Sequence, residues 1–437
     1  MSVLGSVTWH SGLALLVRRS LQQHALSSCI TIVSVALASG LVMAIFSVKQ
    51  QTHDAFIGGE AGFDAVLGAR GSQLQLVLNT VFHLETSPGN IPWAMYQAIK
   101  QDPRVLLAIP YAVGDNYRGY RIVGTTEEIF TKFEYQAGRK FKVRTGGRFF
   151  NPQLREAVIG SYVAQRTGLQ EGDAITPYHG VTFNELTRHN VTYVVVGVLE
   201  PTNSPSDRIV WIPLEGFFRM PGHILKGGGK ELDASHGEAI PDEAKEISAV
   251  MLKFATSRVG WDLSQEINSQ GTVATLAWPI DSVLLDLFDK IGWVDKVLAL
   301  VAYLVVAVAA GSILASVYNT MNERRREFAI LRALGARRAT VFSAIVLEAG
   351  TIAALGSLAG FAVYAGILSV AAVVVREQTG VVLNVFQAAD VSVAAGLHVS
   401  ILLLAPLGMI VVGALAGVIP ALKAYSTDVA ENLAPMS

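Results

Sequence analysis

His223, His236 and Glu238 carry the donor types that zinc accepts, imidazole and carboxylate. They lie in Gly222–Glu246, a stretch with three consecutive glycines and many polar residues that reads as a loop. The two histidines lack the helical spacing that would aim both at one ion, so solvated side chains are expected and no metal is assigned to the chain. Gly227-Gly228-Gly229-Lys230 is not a phosphate loop. Glu231 stands where a Ser or Thr must follow the lysine, and Ile224 replaces the leading glycine. HExxH, GxSxG and Walker patterns are absent from the sequence, so no catalytic residue is expected and the chain is not read as an enzyme. The single cysteine, Cys29, sits in an apolar run, which excludes a disulfide framework and a cysteine metal site.

What remains is a concentration of charge. Asn322 to Arg338 contains Arg324, Arg325, Arg326, Arg332, Arg337 and Arg338 between two apolar runs, Val297 to Met321 and Ala349 to Val375. Each run is long enough to cross a hydrocarbon core of ~30 Å, which takes roughly 20 helical residues. Short loops rich in Lys and Arg stay on the cytoplasmic side, so this loop is expected there. Phe328, Leu331 and Leu334 recur at helical spacing while Glu323, Arg324, Arg325, Arg326, Glu327 and Arg332 cover the rest, the pattern of a short amphipathic helix. Gly335 is its natural stop, because glycine tolerates the left-handed conformation that ends helices.

The elements that would hold this loop are membrane spans. Of the 437 residues 51% are hydrophobic and 16% charged, and the mean hydropathy is +0.42. The net charge of -1 offers no electrostatic argument for nucleic acid. Residues 1–24 read as a cytoplasmic or interfacial helix with Val7, Trp9, Leu13, Leu15 and Leu16 as its apolar side, followed by a first uncleaved span at 25–48 with Arg18 and Arg19 on its inner flank. Further spans are expected at 282–320 (with its stalk), 341–375 and 391–420. They flank a cytoplasmic loop at 321–340, an external loop at 376–390 and a cytoplasmic tail at 421–437. Within the membrane-crossing parts of the spans, Ala25–Val48, Val297–Tyr318, Val341–Val375 and His398–Ile419, only Glu348 is ionisable at neutral pH, and it reads as an interfacial carboxylate paired with a loop arginine.

From Ser282 the apolar residues Leu284, Leu287, Phe288 and Ile291 run into the second span without a proline, giving a helix on the order of 55 Å. That exceeds the hydrocarbon thickness, and the excess is expected to stand outside as a stalk. Residues 49–293 form a large extracytoplasmic region. Helices are expected at Trp93–Gln101, within Glu156–Gly168, and at Trp261–Ser269. Strands are expected at Val105–Ile109, Tyr120–Val123, Val191–Leu199, Arg208–Ile212 and Ile247–Phe254. The fold class is therefore an α-helical membrane protein with four transmembrane helices and a large α+β domain inserted between the first and second.

The string ERRREFAILRALGARRATVFSAIVLEA resembles the cytoplasmic loop and following helix of FtsX-like, MacB-type ABC-transporter permeases. Gly138-Arg139, Gly147-Arg148-Phe149-Phe150, Glu156-Ala157-Val158-Ile159-Gly160, Gly168-Leu169, Gly172-Asp173 and Val210-Trp211-Ile212-Pro213-Leu214 are similar to the MacB-like periplasmic core. Gly417-Val418-Ile419-Pro420-Ala421 resembles the closing motif, although Asn432-Leu433 departs from its usual final arginine. The resemblance implies a periplasmic domain with a base (Porter) near 51–115 and 246–279 and an insert (Sabre) near 116–245. It implies that Arg324, Arg325, Arg326, Glu327, Phe328, Leu331, Arg332, Leu334 and Gly335 dock on a separate cytoplasmic ABC ATPase, which would hold the ATP and Mg2+. It further implies a permease homodimer, or a heterodimer with a related permease, in a bacterial inner membrane with both termini cytoplasmic. A periplasmic adaptor or substrate protein is a possible partner. Lipoprotein or lipid extraction, peptide or drug efflux, and control of an external enzyme stay open, as does a membrane-anchored receptor without transport.

Overall fold

A computed structural model describes residues 3–58, 62–220, 240–379, 381–387, 389–393 and 397–426. His223, His236, Glu238 and the glycine run, together with Glu431, Asn432 and Leu433, lie outside the described residues. The chain opens with α1 (Val3–Gln23) and α2 (Ala25–Gly58). It continues through β1 (Ala65–Ala69), α3 (Gln73–Thr80), β2 (Ile91–Pro92), α4 (Trp93–Gln101), β3 (Val105–Tyr117), β4 (Tyr120–Thr125) and α5 (Glu128–Thr131). Then come β5 (Glu156–Ile159), α6 (Ser161–Thr167), β6 (Ala174–Ile175), β7 (Tyr178–His179), β8 (Tyr193–Val198), β9 (Val210–Pro213) and α7 (Leu214–Phe218). After β10 (Glu246–Ile247), β11 (Ala249–Phe254), α8 (Ser257–Ser264) and β12 (Ala274–Ala277) follow the long α9 (Ile280–Glu323), the short α10 (Arg325–Ala333) and α11 (Arg338–Thr379). A hairpin of β13 (Asp390–Val393) and β14 (Leu397–Ser400) leads to α12 (Ile401–Ser426).

The chain divides into two compact units, one of residues 1–51, 293–374 and 383–437, the other of 52–292 and 375–382. Among the described residues four helices are long and apolar enough to cross a membrane, over Ala25–Ala55, Gly292–Glu323, Arg338–Thr379 and Ile401–Tyr425. The fourth span, expected over 391–420, needs correction. Its start falls in the β13–β14 hairpin, because Asp390–Val393 is rich in β-branched residues and pairs with Leu397–Ser400, and the helix runs from Ile401 past Pro420 to Ser426. The external loop expected at 376–390 is likewise shortened, since α11 runs on to Thr379. The α9 helix has 44 residues, about 66 Å at 1.5 Å per residue.

Packing inside the first unit depends on glycine. Lipid tails are as apolar as leucine, so helices in a bilayer associate through close van der Waals contact at small residues. Gly356 and Gly360 on α11 meet α2: a Cβ at Gly356 would lie 2.5 Å from Val35 Cβ, and one at Gly360 3.0 Å from Ser39 Cβ. Gly40 answers from α2, where a Cβ would lie 2.6 Å from Val363 Cβ. Gly413 and Gly417 on α12 take the same part against Ala353 and Ala349. Thus α11 is gripped by two G-x-x-x-G pairs, its own and that of α12. The opposite faces stay apolar and exposed: Leu403, Leu407, Val411, Leu415 and Ile419 make a continuous stripe along α12 that suits a hydrocarbon solvent.

The second unit is built on a ten-stranded sheet ordered β12-β1-β11-β3-β4-β9-β5-β8-β6, with β7 added to β3. Residues Val105 to Tyr111 of β3 pair with β11, and Ala112 to Tyr117 pair with β4. One strand therefore belongs to both the expected base and the expected insert. The boundary expected at Asp115/Asn116 falls inside β3, and the change of partner occurs at Tyr111/Ala112. The segment Glu156–Gly168 is a strand before it is a helix, since the buried apolar β5 precedes α6 and Gly168 closes the helix in the left-handed region (φ +77). Trp261–Ser269 begins within α8 and ends in a π-helical turn, Gln265–Gln270. Ile280, Val283 and Leu284 at the start of α9 are core residues of this unit, and Phe288 packs against the same core. The stalk is bedded in the domain there and does not stand free, because burial of these apolar side chains outweighs their exposure to water. Leu287 is half-buried, and Ile291 is helical.

Two outcomes test this packing. Gly356→Leu and Gly360→Leu should lower the thermal unfolding midpoint of the detergent-solubilised chain, at about 1–3 kcal/mol or more per site. Gly350→Leu and Gly366→Leu, which meet nothing within 4 Å, should leave it unchanged. In the second unit, burial and then the nearby Arg121 charge push the His83 imidazole down to about 3. The unfolded chain takes up that proton near pH 6.5 and the folded chain does not, so stability drains away as pH falls from 6.5 toward 3. His83 has a positive φ of 56, which asparagine tolerates. His83→Asn should therefore keep the fold and flatten the pH dependence of unfolding in that window by up to ~1.4 kcal/mol per pH unit.

Candidate functional site

The arginine-dense loop becomes a defined element between two spans. The α9 helix ends at Glu323, Arg324 breaks the helical geometry, and α10 occupies Arg325–Ala333. At the far end Gly335 adopts φ +101, Gly335 N donates to Arg332 O at 3.0 Å and Ala336 N donates to Leu331 O at 3.0 Å. These paired bonds form a Schellman stop, the arrangement that a glycine after a helix permits.

The roll of α10 about its axis is set by Arg324. Its side chain is 9% exposed, its Nε lies 2.8 Å from Glu327 Oε2, and its Nη1 lies 3.8 Å from Glu348 Oε2 on α11. The guanidinium also covers the Phe328 ring at 5.1 Å. Glu348 is buried, and Ser20 Oγ of α1 donates to its Oε1 at 2.6 Å. His24, between α1 and α2, lies 3.1 Å from Glu323. A buried carboxylate needs such partners, because an unpaired charge out of water costs several kcal/mol. Two aromatic contacts join the same ends of the other helices: Arg338 sits 5.6 Å from the Tyr425 ring, and Lys423 4.5 Å from the Tyr318 ring, donating to the Tyr318 hydroxyl.

The structure separates the residues that the sequence pattern grouped. Phe328 packs against the helix bundle, Ala329 is buried, and Leu331 and Arg332 are half-buried. Leu334 is 81% exposed and Ile330 46% exposed. Arg325, Arg326, Glu327 and Gly335 are exposed. The expected apolar face of Phe328, Leu331 and Leu334 is thus corrected. Leu334 falls in the helix cap and turns away, so the outward ridge is Arg326, Ile330 and Leu334 at i, i+4 and i+8. Arg324, expected among the docking residues, is turned into the bundle. Sequence reasoning missed Ile330 as a surface residue and Ser20 and His24 as partners. The i, i+4 spacing of Ile330 and Leu334 was the available signal for the first, and nothing local could have revealed the second.

Removing one partner of the buried pair should be costly. Glu348→Ala or Arg324→Ala is expected to destabilise the solubilised chain by about 3–5 kcal/mol, whereas replacing both by methionine should restore much of the loss. Chemical denaturation of the two single variants and the double variant measures the difference.

Two family models match. The FtsX-like permease C-terminal model covers residues 299–429, and the MacB-like periplasmic core domain model covers residues 28–253, more than half of the chain. The macrolide export ATP-binding/permease protein MacB of Marinobacter nauticus is 24% identical over 274 residues, 61% of this chain and 39% of that protein. The chain thus spans well under half the length of that curated relative. Among solved structures, the periplasmic region of MacB from Actinobacillus actinomycetemcomitans is similar at 9% identity, covering 53% of this chain and 97% of the other, with a TM-score of 0.32. The extracellular domain of the noncanonic ABC-type transporter YknZ from Gram-positive bacteria is similar at 14% identity, covering 48% and 97%, with a TM-score of 0.27. With one model over the later spans and the basic loop, and the other over the first span and most of the sheet domain, the chain belongs to the MacB/FtsX-type family of ABC-transporter permeases.

Proposed function

We propose that this chain is the membrane subunit of a mechanotransmission ABC transporter, in which a separate cytoplasmic ATPase grips α10 and drives movement of the extracytoplasmic domain. The single observation that carries this reading is the outward ridge of Arg326, Ile330 and Leu334, held at fixed rotation by the buried Arg324–Glu348 pair. A short helix with two exposed apolar residues and a basic neighbour suits a groove on a protein partner. ATP and Mg2+ belong to that partner. Two copies of the permease, or this chain and a related one, pair with two ATPase subunits. The unbroken α9 carries the displacement, since it continues without interruption from the basic end into the core of the sheet domain at Val283 and Leu284.

Orientation follows from charge. Arg18 and Arg19 on α1, Arg324 to Arg338, and Lys423 on α12 belong to helix ends that Ser20–Glu348, His24–Glu323 and Lys423–Tyr318 tie together on one face of the helix bundle. An excess of Lys and Arg of that size faces the cytoplasm. This supports cytoplasmic termini and a periplasmic sheet domain in a bacterial inner membrane. The substrate class is lipoprotein, lipid, peptide or drug, moved on the periplasmic side with or without an adaptor protein, or an external enzyme is regulated there. The outward helix faces offer lipid an apolar surface, and among the described residues the polar groups buried in the bundle are mostly single serines and threonines, a sparse lining for a charged cargo.

Ile330→Asp and Leu334→Asp place a carboxylate on the ridge without touching the bundle. Each should abolish co-purification of the ATPase subunit and its stimulated ATP hydrolysis while leaving the permease's own thermal stability unchanged. Retention of a stoichiometric ATPase in the double variant would overturn the reading.

A further inference from the structure

The second unit brings Asp115 together with two side chains from a distant stretch of the sequence, His179 and His189. Asp115 is on β3 and its cross-strand partner on β7 is His179. His189 arrives from the segment after the Glu185–Thr187 turn, fixed by its backbone N–H donating to Pro177 O at 2.9 Å and by the bridge between Tyr178 and Arg188. His179 Nδ1 lies 3.2 Å and His189 Nε2 3.3 Å from the same carboxylate oxygen, Asp115 Oδ1, and the three donor atoms all fall within 4.8 Å of one another. Asp115 is fully buried and the His189 side chain is 5% exposed, whereas the His179 side chain is 58% exposed.

We propose that Asp115, His179 and His189 form a binding site for a zinc-class divalent cation, with a fourth position open on the His179 side to water or another donor. Donor spacing argues for it. Ligands at ~2.0–2.1 Å around a tetrahedral zinc sit roughly 3.3 Å from each other, which the two carboxylate–imidazole spacings already match, and the exposed His179 ring can turn to set the third. The donor set argues for it too, since two imidazoles and one carboxylate suit zinc and its neighbours and disfavour calcium or magnesium. The scaffold is preformed. Asn116 Nδ2 donates to Gly180 O at 2.8 Å, and Thr187 Oγ1 donates to His179 O at 3.0 Å, so the loop carrying both histidines is already held against β3. The bound ion ties the Tyr178–His189 segment to the central strand of the sheet.

The test uses the full chain in detergent, stripped with a chelator and titrated with Zn2+ against a competing chromophoric chelator. One zinc per chain is expected. Because His179 is exposed, His179→Ala should fold normally and lower the affinity by at least about tenfold, no less than the loss of an outer-shell partner costs. Asp115→Asn should do the same, and Co2+ should show the visible bands of a four-coordinate site in the parent chain and not in His179→Ala. His223→Ala combined with His236→Ala should leave binding intact. Equal zinc binding by the parent and His179→Ala, or loss of the zinc only in the His223/His236 variant, would overturn the proposal.

Discussion

A bilayer removes the force that packs soluble helices, and this structure depends on what replaces it: backbone-to-backbone contact at glycine. Gly356 and Gly360 let α11 approach α2, and Gly413 and Gly417 let α12 approach α11, each at distances where a methyl group would collide. Leu and Val on the outward faces contribute little to this association, because the lipid competes for them equally. The central place of α11 among the spans is thus a property of its smallest residues.

Close approach has an electrostatic consequence. It brings Glu348 of α11 within reach of Ser20 of α1 and Arg324 at the end of α9, and the cost of an unpaired buried charge then fixes the path of the chain into α10. With Arg324 held inward and Phe328 packed beneath it, Ile330 and Leu334 have no choice but to face outward. A polar triad inside the bundle therefore determines which apolar residues a partner can see. The same logic explains why an arginine cluster that reads as uniformly solvated splits into one structural member and several exposed ones.

Much of this was legible in the sequence, and the limits have physical causes. Four apolar runs, the basic loop and the glycine that ends α10 are local features, encoded in consecutive residues. The pairing of Glu348 with a loop arginine could be anticipated because each lies near the same end of adjacent spans. Which arginine, and which face of α10, depends on a rotation set by non-local contacts to α1. The fourth span misled because Val391, Val393, Leu397 and Val399 look apolar to a hydropathy count, yet polar residues alternate with them and Asp390–Val393 pairs with Leu397–Ser400 as a hairpin. Asp115, His179 and His189 left no local signal, since strand pairing at Asp115 and His179 and a turn before His189 assemble them, whereas the histidine-rich loop that drew attention lies elsewhere in the chain.

Within the sheet domain the start of α9 leads directly from the sheet. Its edge strand β12 ends only two residues before α9 begins, and β12 pairs with β1, β1 with β11, and β11 with the first half of β3. Beyond Tyr111 the same strand passes to β4 and β7, with a bulge between Val113 and Asp115 at the crossing. Among the described residues β3 is the one strand that pairs with both halves of the sheet, and side chains cross between the halves as well, Phe63 stacking on Phe133 and Lys100 pairing with Glu128. A bulge bends and twists a strand locally, so the point at which the two halves meet is also where the strand departs most from regular pairing. A clamp holding β7 to Asp115 would stiffen the flank of that crossing, where β3 passes from one set of partners to the other.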